Sequence, residues 1–263
     1  MSYGDIVYKK EDGIATITIN RPEVYNAFRQ KTLYEMIDAL TDSWNDPSVG
    51  VVVLTGAGDK AFCTGGDQKE KKKPGPGAEK YLPTGTYVAQ LHFMIRNIPK
   101  PVIAAVNGFA IGGGNVLHVV CDISIASETA KFGQVGPKVG SVDAGMGTAF
   151  LARVVGEKKA REMWYLCRQY TAEEALEMGL VNKVVPPDRL TGEVEAWAKE
   201  MLEKSPTALK MVKYSFNADS DSIYGISRMG LTSLELFHTT DEAKEGINAF
   251  VEKRPPDFSK YRG

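Results

Sequence analysis

The sequence is poor in the residues that bind metals and form disulfides. Its 263 residues include three cysteines (Cys63, Cys121, Cys167) and three histidines (His92, His118, His238). The cysteines are odd in number, widely separated and without a CxxC, which argues against a disulfide framework or a zinc site and fits a reducing cytoplasm. The histidines are too scattered for a metal motif. Charge of one sign is also lacking: 32 Lys and Arg stand against 33 Asp and Glu, so there is no basic footprint for nucleic acid. No apolar run approaches the roughly 18 residues of a membrane span. The stretch "MSYGDIVYKKEDG" carries charges where a signal peptide has its apolar core. Walker, HExxH and GxSxG motifs are absent. What is present, 43% hydrophobic and 25% charged residues, is the make-up of an ordinary globular protein, with a cytoplasmic location expected.

Strand and helix patterns alternate along the chain. "GIATITIN" (13–20) alternates apolar and polar residues around β-branched types and reads as a strand. "QKTLYEMIDALTDSWND" has apolar residues at helical spacing, and "VGVVVLTGAG" is a buried strand ending in glycines. "AQLHFMIRNIPKP" is a short helix stopped by prolines. "PVIAAVNGFAIGGGNVLHVVCDISIAS" gives strand, glycine turn, helix and strand, and "TAFLARVVGEKKAREMWYLC" is helical. From "RLTGEVEAWAKEML" onward the reading is almost wholly helical. Alternation of this kind predicts an α/β core of stacked ββα units, with residues 1–200 as core and 201–263 as a helical C-terminal region. "QKEKKKPGPGAEK" (68–80) is low in complexity and reads as a mobile loop, with Lys69–Lys73 a solvated run.

Two glycine turns stand out. "AFCTGGDQ" (61–68) follows a strand, and "AIGGGNVL" (110–117) opens a helix. Glycines at a helix start expose backbone N–H groups at the positive end of the dipole, with no Cβ in the way. Two such turns could aim two N–H groups at one oxygen, as an oxyanion hole, or could be tight packing turns. A third loop, "FGQVGPKVGSVDAGMG" (132–147), contains five glycines and a single carboxylate, Asp143, near Ser141. A turn aspartate and a carboxylate brought close to a ligand are both open here, and Ser141 could bond the loop backbone. Trp164 and Tyr165 sit at core-like helical spacing. Tyr81 and Tyr87 border the 68–80 segment, where either could cover a ligand. His92 and His118 read as structural or surface residues.

"INRPEVYNAF", "VVVLTGAGDKAFCTGGDQ", "PVIAAVNGFAIGGGNVLHVVCDISIAS", "FGQVGPKVGS" and "EALEMGLVNKVV" together resemble the enoyl-CoA hydratase/isomerase (crotonase) superfamily, over nearly the whole chain. The resemblance implies a crotonase-like spiral of ββα units and an acyl-CoA substrate. The thioester oxygen would be held by the N–H groups of Gly66 and Gly113. Substrate contacts are implied along the same turns, at Thr64, Gly65, Asp67 and Gln68 and at Phe109, Ile111 and Gly112. The CoA adenine would lie near Lys60, Ala61 and Phe62, with Lys253 near the CoA. A homotrimer or homohexamer is implied, with the helical tail between subunits. No cofactor is expected beyond the CoA of the substrate.

Departures from the superfamily pattern narrow the reaction. Its hydratases use two glutamates, one after the glycine triplet and one after "FGQ", where this chain has Val116 and Gly136. The remaining carboxylate, Asp143 in "GSVD", resembles two branches, 2-ketocyclohexanecarboxyl-CoA hydrolase and 1,4-dihydroxy-2-naphthoyl-CoA synthase. Both break or make a carbon–carbon bond at the α-carbon of a CoA thioester. The synthase pattern has Thr at Val135, so a bicarbonate site built from Gln134, Val135 and Trp164 is incomplete and bicarbonate is not expected. "GGGNVL" and "GTAFLARVVGEKKARE" favour the hydrolase; "WYLCRQYTAEEALEMGLVNKVVP" resembles the synthase. His238 stands where both branches have a tyrosine that reaches the active site, and is a candidate acid. Substrate contacts are expected at Tyr81, Gln134, Val135, Gly136 and Trp164. A non-catalytic acyl-CoA-binding scaffold is disfavoured by the presence of Asp143. An aryl-CoA dehalogenase is disfavoured by the rest of its loop.

Overall fold

The protein is described by a computed structural model over residues 3–72 and 80–262. Among these residues ten strands form, in chain order, β1 (Ile6–Glu11), β2 (Ile14–Ile19), β3 (Val51–Gly56), β4 (Ala61–Cys63), β5 (Val102–Val106), β6 (Phe109–Ile111), β7 (Ile123–Ser127), β8 (Lys131–Gly133), β9 (Gln169–Thr171) and β10 (Lys183–Val185). They make two sheets, one ordered β1-β2-β3-β5-β7-β10 and one ordered β4-β6-β8-β9. Only β1 with β2, and β8 with β9, pair antiparallel. The strand pairs β3 and β4, β5 and β6, and β7 and β8 each send one strand to either sheet, so the chain climbs as a spiral. This is the crotonase-like α/β architecture expected.

The helices are α1 (Gln30–Asn45), α2 (Gln68–Lys72), α3 (Thr84–Asn97), α4 (Gly113–Val119), α5 (Leu151–Val155), α6 (Glu157–Leu166), α7 (Ala172–Glu177), α8 (Leu190–Leu202), α9 (Pro206–Ala218), α10 (Ser222–Phe237) and α11 (Asp241–Val251). The large sheet is covered on both faces, which is why β3 and β5 read as continuous apolar runs. Val52, Leu54, Val102 and Ala104 join one core with Leu33, Met36 and Leu40 of α1. Val51, Val53, Ile103 and Ile125 point the other way, against Leu190, Val194 and Ala198 of α8.

Several elements differ from the sequence reading. "PVIAAVNGFAI" holds two strands in different sheets, not one, because Gly108 lets the chain pass against the Lys60 backbone, where a Cβ would collide. "TAFLARVVGEKKAREMWYLC" is a π-helical turn (Met146–Phe150) followed by two helices, broken at Gly156 with φ +80°. Of the segment read as a mobile loop, Gln68–Lys72 is helical, and 73–79 lie outside the described residues. Strand β1 has too many charged residues to signal itself. It forms as the antiparallel partner of β2 over all six residues, and Tyr8 and Lys10 also bond Asp42 of α1 (2.7 and 2.8 Å).

His118 of α4 is fully buried, within hydrogen-bonding distance of Asn115 and Ser124 (both 3.1 Å). Burial holds its pKa down to about 3 from an ordinary 6.5. A histidine depressed in this way supports the fold fully above pH 6.5, and the support is lost as pH falls from 6.5 toward 3. Thermal melts are therefore expected to lose about 2 kcal/mol between pH 8 and pH 5 from this group. His118→Gln should flatten that slope.

Candidate active site

The first glycine turn, at the end of β4, is clamped by Phe28. The Phe28 N–H donates to Gly65 O (2.8 Å) and the Asp67 N–H donates to Phe28 O (2.9 Å), a parallel bridge centred on Gly66. In that pattern the Gly66 N–H faces away from Phe28. It has no protein partner among the described residues. The second turn, at the end of β6, brings Gly113 to the first position of α4, where no intrahelical carbonyl is available. The turns pack backbone on backbone. A Cβ on Gly65, whose φ is +84°, would lie 2.9 Å from Gly113 N, and one on Gly113 would lie 2.9 Å from the Phe28 ring. Tight packing and two free N–H groups are thus features of the same contact.

The third loop carries Asp143. Its Oδ1 accepts from the Gly147 N–H (3.0 Å), and the buried Trp164 indole N–H donates to Gly147 O (2.6 Å). Trp164 therefore fixes the π-helical turn that fixes the carboxylate. On the outer side, α10 and α11 press on the loop at backbone distance. A Cβ on Gly140 would collide with Ala243, one on Gly246 with Gly140, one on Gly145 with Ser227 and one on Gly230 with Ala144.

The three loops border a cavity of about 430 Å³. Among the described residues four carboxylates reach it. Asp67 is paired with Arg21 (3.1 Å) and Glu70 with Arg29 (3.0 Å), while Glu235 is exposed on the rim. Asp143 has no cationic partner among the described residues. Behind the pairs stands Asp5, which accepts from Arg29 Nε (2.7 Å) and Thr32 Oγ1 (2.6 Å). Burial pushes the Asp5 pKa up, but these bonds more than offset it and hold it below the ordinary value.

Gly66, Gly113, Ser141, Asp143 and His238, assigned to chemistry from the sequence, all line this cavity. So do Thr64, Gly65, Asp67, Gln68, Gly112, Gln134, Val135, Gly136 and Trp164. Others lie outside its lining. Ala61 and Phe62 are buried, with Ala61 O accepting from Asn26 Nδ2 (2.6 Å), and Lys60 is exposed. Phe109 packs on Tyr25, and Ile111 is buried in β6. Tyr81 and Tyr87 stack with Tyr34 (5.8 and 6.2 Å between centroids) instead of reaching the cavity. Lys253 is exposed beyond α11. His92, read as a structural or surface residue, is buried and borders the cavity. Its signal was a histidine on the buried face of α3, between Leu91 and Ile95.

Both absent glutamates have a physical explanation. Val116 is fully buried in the core on α4. At Gly136 a Cβ would lie 2.5 Å from Ser141 O and 2.9 Å from the Trp164 ring. Gly136→Glu, which would restore a hydratase residue, is therefore expected to lower the melting temperature by several degrees, as overpacking of this kind costs about 1–3 kcal/mol. It should give no hydration of a linear enoyl-CoA.

Among the described residues, no group of three His, Cys, Asp or Glu stands together to hold a metal ion. Among the same residues no helix is long and apolar enough to cross a membrane. Comparison with known proteins gives the class. The enoyl-CoA hydratase/isomerase family matches residues 9–261, and the chain belongs to that family. An enoyl-CoA hydratase from Mycobacterium avium subsp. paratuberculosis is 28% identical, with a TM-score of 0.87 over 98% of this chain and 100% of its own. An enoyl-CoA hydratase/isomerase from Pseudoalteromonas atlantica is also 28% identical, with a TM-score of 0.87 over 97% and 100%. A carnitinyl-CoA hydratase from Mycobacterium avium is 32% identical, with a TM-score of 0.85 over 98% and 100%. The protein is thus a member of a family of acyl-CoA enzymes.

Proposed function

We propose that the protein hydrolyses a ring carbon–carbon bond of a cyclic β-ketoacyl-CoA, of the 2-ketocyclohexanecarboxyl-CoA type. The observation that carries this reading is the carboxylate arrangement. The two hydratase positions hold a buried valine and a glycine where a Cβ would collide, and among the described residues the one cavity carboxylate without a cationic partner or an exposed position is Asp143. A general base must be able to accept a proton, and an ion-paired carboxylate does so poorly.

Asp143 takes a proton from a water, and the water oxygen bonds to the ring carbonyl carbon. Collapse of the adduct breaks the bond to the α-carbon and leaves a thioester enolate. The N–H groups of Gly66 and Gly113 hold its oxygen, at about 3 kcal/mol for each donor. His238 reprotonates the carbon and regains a proton from solvent, to which Asp143 returns the one it took. The thioester is the electron sink, so the step uses the CoA of the substrate and no bicarbonate. The CoA adenine runs toward Lys60–Phe62, which precede the first glycine turn. Exposed apolar residues on α9 and α10, Phe216 (77%) and Met229 (67%), support assembly of residues 201–263 into a trimer or a dimer of trimers.

Incubation with 2-ketocyclohexanecarboxyl-CoA and with succinylbenzoyl-CoA, read by product mass, tests the reading. Gain of one water by the first is the expected result. Loss of one water from the second would replace it with ring closure of the naphthoyl-CoA synthase type.

A further inference from the structure

One titratable group on the cavity wall has no part in the steps above. His92 of α3 is 3% exposed and borders the cavity. It makes no hydrogen bond to protein among the described residues, and its Nδ1 is enclosed without a partner. Asp143 is its electrostatic neighbour. Burial lowers its pKa and so favours the neutral ring, one nitrogen of which carries a proton to donate.

His92 is not alone. Gln134, 1% exposed, leaves both its Nε2 and its Oε1 unpartnered, and Gln68 leaves its Oε1 so. All three side chains line the same cavity. Buried polar groups are normally satisfied, because leaving them unmade forfeits the hydration they had in the unfolded chain. Three orphans around one space therefore describe its occupant: an acyl group that carries oxygen. The thioester oxygen is already assigned to Gly66 and Gly113. A plain hydrocarbon acyl chain would leave all three side chains unpaired.

We propose that His92 is a further catalytic residue, whose imidazole donates a hydrogen bond to the ring ketone oxygen of the substrate. This rests on the ring-opening reading above. As the water oxygen bonds to the ring carbonyl carbon, the carbonyl π pair moves onto the ring oxygen. His92 holds that alkoxide while keeping its own proton. The pair then returns to re-form C=O, the bond to the α-carbon breaks, and its electrons pass to the enolate at Gly66 and Gly113. The new carboxylic acid gives its proton to water. The cavity thus holds two developing negative charges in succession at two separate places.

Calorimetric titration with two unreactive ligands isolates the contact. 2-Hydroxycyclohexanecarboxyl-CoA has the ring oxygen without the electrophilic carbon, and cyclohexanecarboxyl-CoA lacks the oxygen. The wild type should bind the hydroxy ligand about tenfold more tightly. His92→Phe should erase that preference with a melting temperature unchanged or raised, since an orphaned polar group is removed. His92→Gln, which keeps a donor, should retain most of it, and serves for the comparison if the phenylalanine variant does not fold. Turnover of 2-ketocyclohexanecarboxyl-CoA should fall about 100-fold in His92→Phe. No preference in the wild type, or a preference that persists without an imidazole or amide at position 92, overturns the assignment. A preference that depends on His92 in an enzyme without ring-opening activity leaves His92 in place and removes the hydrolase reading. Normal ring opening by folded His92→Phe does the reverse.

Discussion

Asp143→Asn is expected to lower turnover of a cyclic β-ketoacyl-CoA by about 100-fold or more, with little change in affinity for the CoA ester. The amide has the shape of the carboxylate and keeps an oxygen for the Gly147 N–H, so the loop should stay in place. It loses proton acceptance. The carboxylate acts on water and not on the CoA, so binding is spared. Added bicarbonate should not rescue the variant, because Val135 offers no hydroxyl to hold it. An aspartate that only shaped the turn would behave oppositely, with a lower melting temperature and an unchanged rate per folded enzyme. Rate, affinity and melting temperature on this variant separate the two, and near-normal turnover would remove Asp143 from the mechanism.

Gly113→Pro should abolish measurable turnover. Proline is tolerated at the first position of a helix, but it has no N–H to donate. The position is also crowded, since any Cβ meets the Phe28 ring at 2.9 Å. Gly113→Ala is therefore the necessary companion, because it brings the same crowding and keeps the N–H. The alanine variant reports the displacement of Phe28. The further loss on going to proline reports the donor, at about 100- to 1,000-fold in kcat. Equal rates in two folded variants would mean that the Gly113 N–H does not touch the oxyanion.

The spiral was legible because its strands and helices differ in period and length. Long apolar strands such as Val51–Gly56 and the amphipathic Gln30–Asn45 announce themselves locally. Three-residue strands such as Ala61–Cys63 and Lys131–Gly133 do not, because their pairing partners are remote in sequence. The glycine turns and the loop of the lone carboxylate were legible as distinct loops, and the fold brings all three to one cavity. His92 was not legible. A single polar residue on a helix says nothing of which wall it will join, and only the packing of Thr84–Asn97 beside the Asp143 loop gives it a neighbour. The surroundings of Tyr81 were hidden for the same reason, since its partners, Tyr34 and Tyr87, come from two different helices.

The four glycine contacts that press α10 and α11 onto residues 140–145 also set an order of events in synthesis. Until α10 and α11 have been made, the loop that carries Asp143 is held from the Trp164 side and has no packing from these helices on its outer side. A nascent chain can build the whole spiral and still leave the Asp143 loop without its outer support. The cavity wall is therefore completed late, after the sheets have formed. A ribosome-bound chain stopped before residue 222 would be folded over most of its length, with that loop lacking the cover of α10 and α11.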